Sequence, residues 1–94
     1  MAKYTGIEKY VFSDVYNFFL KYSEIPNQDE YWEQCVRDAK LLTFKYHEYP
    51  LAKHMVINTM EQLEFKICGR PLDGYTYEQW NAILGDYQNM KPFH

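Results

Sequence analysis

His47 and His54, with Glu48 beside the first and Glu61 beyond the second, are the residues best equipped by type for metal binding or proton transfer. Their spacing argues against both. Pro50 lies between the two histidines and assigns them to different helices, and His54 and Glu61 fall two turns apart, too far for the adjacent-turn pair that grips zinc. Two carboxylate pairs, Glu30 with Glu33 and Glu61 with Glu64, have the spacing for acid/base work. Such a pair works only where burial drives the two acidities apart. Both lie off the apolar stripes beside Lys or Arg, so solvated helix faces are expected. Cys35 and Cys68 have no histidine and carboxylate at a nucleophile's spacing, and each falls on an apolar stripe, so buried reduced thiols are expected. Ser13 and Ser23 read as helix-end residues, and the four glycines form no phosphate-cradling loop. The chain is therefore expected to be no enzyme, with no catalytic residue, metal or cofactor.

The elements that carry these residues are helices. Ninety-four residues suffice for one domain with a thin core. A helix over 8–23 is read from Phe12, Val15, Tyr16, Phe19 and Tyr22 or Leu20, with Ser13 a candidate cap and Val11 and Phe18 widening the stripe. A second, 28–47, opens on a capping pair of Asn27 with Glu30 and buries Trp32, Cys35, Val36, Ala39, Leu42 and Tyr46. A third, 50–68, runs from Pro50 to the stop at Gly69, with Ala52, Met55, Val56, Thr59, Met60, Leu63 and Ile67 inward. Its stripe lies roughly 120° out of phase with that of the second helix, which excludes one straight helix and predicts a hairpin turn at His47–Pro50.

The fourth helix, 77–85, has a capping box in Thr76 and Gln79 and a hydrophobic staple in Tyr75 and Trp80. A helix this short must dock to survive, with Trp80, Ile83, Leu84 and Tyr87 inward. Residues 89–94 are expected to fray, and no internal repeat or low-complexity tract is expected. The predicted fold is one all-α domain over 1–94, a three-helix up-down bundle with a short fourth C-terminal helix packed across it.

Composition bears on partners. Aromatic residues make up 19% of the chain, ten of them tyrosines, more phenols than a thin core can satisfy. Several must reach the surface, where tyrosine favours protein contacts. Tyr4, Tyr10, Tyr31, Tyr49, Tyr75 and Tyr77 are the candidate contacts, Tyr77 above all. A net charge of −3 without a Lys/Arg-rich stretch disfavours direct nucleic-acid binding. No apolar run spans a membrane, and the start lacks a secretory apolar region, so a cytoplasmic protein is expected. A homodimer would use a tyrosine-rich surface equally well.

The segment DEYWEQCVRDAKLLTFKY with the following PLAKHMVINTMEQLE, within 29–64, resembles small uncharacterised all-helical proteins carried by phages and mobile elements of Gram-positive bacteria. The resemblance implies a protein that binds another protein, such as an inhibitor of a host or anti-phage defence factor, a CRISPR nuclease for example. It implies no site residues. A self-assembling accessory protein and a small nucleic-acid-associated regulator are the alternatives.

Overall fold

The computed structural model describes residues 6–85. Tyr4, Tyr87 and the 89–94 segment of the sequence reading lie outside that range. Four helices follow one another: α1 (Ile7–Tyr22), α2 (Asp29–Lys45), α3 (Pro50–Cys68) and α4 (Tyr77–Leu84). The fold is all-helical, three main helices with a shorter fourth packed against them.

Side-chain contacts fix the directions. Lys21 meets Asp38 and Lys45 meets Asp14, so α1 and α2 run antiparallel. Cys35 meets Met60, and Asn27 before α2 meets Cys68 at the end of α3, so α2 and α3 also run antiparallel. Lys66 near the end of α3 lies over Phe19 near the end of α1. The order is up, down, up.

Val11, Val15, Phe18 and Tyr22 of α1, Cys35, Ala39 and Tyr46 from α2 and its end, and Ala52, Val56 and Leu63 of α3 form the core. Met55 and Met60 pack against it as partly buried side chains. The stripe read for α1 is therefore rotated. Val11 and Phe18 are central, while Phe12, Tyr16 and Leu20 stay exposed. Apolar residues surround most of this helix, so periodicity alone could not choose between adjacent stripes.

The helix ends differ in how well the sequence foretold them. Gly69 is left-handed (φ 74°) as its stop position demands, and Pro50 opens α3. Thr76 Oγ1 accepts from the Gln79 backbone N–H (3.3 Å), and Gln79 Oε1 accepts from the Thr76 N–H (2.8 Å), closing the capping box. Asn27 does not cap α2. Gln28 holds that position without a side-chain bond, and Asn27 Oδ1 accepts instead from Trp32 Nε1 (2.9 Å). Gly6, not Ser13, precedes α1.

The α2–α3 turn places two non-glycine residues, His47 (φ 52°) and Glu48 (φ 58°), in the left-handed region. A Cβ is unfavourable there, and glycine relieves it. Glu48→Gly should relieve about 1–2 kcal/mol of left-handed strain and lose about 0.5–1 kcal/mol to unfolded-state entropy, a net gain of roughly 0.5–1 kcal/mol. Chemical denaturation checks this, and an unchanged or lower midpoint would refute strain at the turn.

An internal repeat does exist, contrary to the expectation. SDVYNFFLKYSEIP (13–26) aligns with RDAKLLTFKYHEYP (37–50), matching Asp14 with Asp38, Lys21 with Lys45, Tyr22 with Tyr46, Glu24 with Glu48 and Pro26 with Pro50. The structure uses it reciprocally. Asp14 accepts from Lys45 (2.6 Å) and from the Tyr46 hydroxyl, while Asp38 accepts from Lys21 (2.8 Å) and the Tyr22 hydroxyl. The buried positions correspond too: Val11, Val15 and Tyr22 match Cys35, Ala39 and Tyr46. Helices α1 and α2 are thus related by an approximate two-fold axis, and each Asp reaches the Lys-Tyr pair of the other helix. The repeat is faint in sequence because the residues between these anchors differ.

Candidate protein-docking surfaces

The residues that could do chemistry are placed apart. His47 and His54 are both exposed, and no three His, Cys, Asp or Glu side chains among the described residues form a group able to hold a metal. Cys35 and Cys68 are free thiols. Burial, with Asp38 nearby, pushes the Cys35 thiol up to about 11, so it is protonated and unreactive at neutral pH. Cys68, expected to be buried, is exposed at the last position of α3, where its thiol donates to Asn27 Oδ1 (3.5 Å).

The other resolved shifts belong to the two Asp-Lys-Tyr clusters. The bond from Lys45, then that from Tyr46, holds the Asp14 carboxyl below the usual carboxylate range, and Lys21 and Tyr22 do the same for Asp38. Burial and the neighbouring Asp14 push the Tyr46 hydroxyl up to about 12. Tyr22 is raised in the same direction by burial and Asp38. These clusters tie α1 to α2, and every polar group in them is engaged with another.

The tyrosines proposed as contacts do not form one patch. Tyr31 lies in the first turn of α2 and Tyr49 beyond its end, with nearly the whole helix between them, roughly 20 Å at about 1.5 Å per residue. Tyr10 is well exposed on α1, and Tyr75 lies exposed with its ring edge-on to Trp80 at 5.3 Å. Tyr77 faces inward. Its ring meets Phe65 edge-on at 5.5 Å, and Lys66 lies over both Tyr77 and Phe19, joining α4 to α3 and α1. Trp80 donates from Nε1 to the Leu72 carbonyl (2.9 Å). Ile83 and Leu84, expected inward, are exposed, and no residue of α4 is fully buried. Docking turns the helix onto its N-terminal rings. Phe65, unassigned in the sequence reading, is the buried residue that receives them.

Two apolar surfaces remain open. One is a ridge along the outside of α1, where Phe12, Tyr16 and Leu20 follow at steps of four, Tyr16 61% exposed. The other is a groove of about 820 Å³ between α2 and α3. Ala39, Val56 and Met60 lie along it, with Val36, Phe44 and Ile57 at its sides. Phe44 is 76% and Ile57 51% exposed. Among the described residues no further element covers the groove, since the side chains along its sides stand in solvent. Steps of four on α1 and α2 were the available signal for both surfaces, but Phe12, Tyr16 and Val36 were assigned to the core.

These features define a small up-down-up helical bundle that buries one side of each helix and leaves continuous apolar surface on two others. Comparison with protein-family models, curated proteins and solved structures returns no match. No helix among the described residues is long and apolar enough to cross a membrane.

Proposed function

We propose that the chain is a small non-catalytic module that binds another protein in the cytoplasm, acting as a phage- or mobile-element-encoded inhibitor of a host or anti-phage defence protein such as a CRISPR nuclease. The α1 ridge is the observation that supports binding. A helix already buried through Val11, Val15, Phe18 and Tyr22 carries a second line of large apolar groups, Phe12, Tyr16 and Leu20, on its outside. Exposed apolar patches of this kind mark interaction sites, and aromatic side chains dominate binding energy there. Lys9, Ser13 and Asn17 beside the ridge add little net charge, so the partner is a protein with an apolar furrow rather than a polyanion. The inhibitor reading rests on the resemblance within 29–64.

The test is functional. Bacteria whose CRISPR nuclease destroys an incoming plasmid should regain transformation when they express the chain. Phe12→Ala with Tyr16→Ala should lower that rescue by roughly tenfold or more, with Tm nearly unchanged because both side chains are exposed. Tyr77→Ala should instead loosen α4 and lower Tm. Failure to protect against a panel of such nucleases would end the inhibitor reading, and rescue indifferent to the ridge variants would move the contact elsewhere.

A further inference from the structure

We propose that the groove between α2 and α3 is the interface of a homodimer, in which the α2–α3 hairpins of two copies close into a four-helix bundle. The inference is independent of the α1 ridge and its partner. An antiparallel hairpin with an unpaired apolar face is half of such a bundle, and here that face carries Val36, Phe44 and Ile57 in solvent above Ala39, Val56 and Met60. A heterologous helix could fill the same groove, so the choice of occupant rests on charge.

On α3, Lys53, Ile57 and Glu61 follow at steps of four and line the groove. Residues at this spacing stand above one another on a single face. Neither Lys53 nor Glu61 belongs to an ion pair among the described residues. A two-fold axis through Ile57 makes this line self-complementary. Ile57 meets Ile57 of the second copy, and each Lys53 faces the other copy's Glu61 at both ends. Parallel stacking would set Lys53 against Lys53 and Glu61 against Glu61, so this line of charge favours the antiparallel arrangement. On α2, Val36 and Phe44 flank Lys40 at the same spacing. The same axis direction brings Val36 towards Phe44 of the other copy and Lys40 towards its counterpart, one like-charge approach set against two Lys53–Glu61 pairs. The Lys40 stem covers apolar surface while its ammonium reaches the rim.

Sedimentation equilibrium over micromolar to millimolar concentrations tests this, on wild type and on Phe44→Glu, Lys53→Glu, Glu61→Lys and the Lys53→Glu/Glu61→Lys pair. Wild type should show a monomer–dimer equilibrium. Each single variant should weaken it by roughly tenfold or more, and the charge-swapped pair should recover most of the loss. Thermal melts at low concentration should show the exposed-site variants folded as monomers. A wild-type monomer at every concentration overturns the proposal. So does a dimer indifferent to all the groove variants, or a charge-swapped pair no better than its parents. Groove variants that abolish activity in the plasmid assay without changing the mass would assign the groove to a foreign partner and overturn it equally.

Discussion

Leu63→Ala is expected to be among the most damaging aliphatic truncations in the protein. Leu63 is fully buried on α3, which packs on both α1 and α2. Two positions on, Phe65 receives the Tyr77 ring of α4. Removing a buried leucine side chain loses its transfer free energy and leaves a cavity that surrounding helices fill only in part, about 2–5 kcal/mol together. For a domain of this size that is a fall of roughly 10–25 °C in Tm, and a large share of the total stability. Ile57→Ala on the same helix is the control, since its side chain is half in solvent and its loss should stay within about 0.5 kcal/mol in the monomer. Urea denaturation at low protein concentration reads both. Equal effects at the two positions would mean that α3 is not the centre of the core.

The same helix shows how far sequence reasoning reaches. Its start at Pro50, its stop at Gly69 and its inward Ala52, Val56 and Leu63 follow from local chemistry and periodicity. Phe65 does not, because it is buried on a second side by a helix later in the chain, and no period within α3 announces that. The box and staple of α4 were legible because both are local. Its docking face was not, because Tyr77 turns inward to meet Phe65 while Ile83 and Leu84 are left in solvent. Helix α1 failed for the opposite reason. Two adjacent apolar stripes compete, and only the position of α2, fixed by Lys21 to Asp38 and Lys45 to Asp14, decides between them. The open surfaces were missed with it. A residue at helical spacing reads as core until the neighbouring helices are placed.

Those two ion-pair clusters carry the second large effect. Asp14→Ala should leave the buried Tyr46 hydroxyl without its acceptor, at a cost of about 1–3 kcal/mol. Asp38→Ala should cost somewhat less, because the Tyr22 hydroxyl keeps a long contact to the Gln34 carbonyl at 3.4 Å. The approximate two-fold relation between α1 and α2 predicts this near-equality. Two unrelated surface pairs would contribute little each. The pH dependence follows from the directions of the shifts. Both carboxyls are held below their ordinary value of 3.8 in the folded chain, so their stabilisation is complete above that value and lost as pH falls through the lower folded values. The double variant should lose its share of that acid-side slope while keeping the slope from other carboxylates. At the alkaline end the sign reverses. Tyr46 is raised from 10.0 to about 12, so its contribution is complete below pH 10.0 and lost as pH rises towards 12. Tyr46→Phe should flatten that alkaline decline, and Asp14→Ala should flatten it in part by removing the negative neighbour. Urea denaturation at a series of pH values separates the two limbs. An acid limb unchanged in the double variant would show that α1 and α2 are held by packing alone, and that the matched Asp-Lys-Tyr clusters are incidental to it.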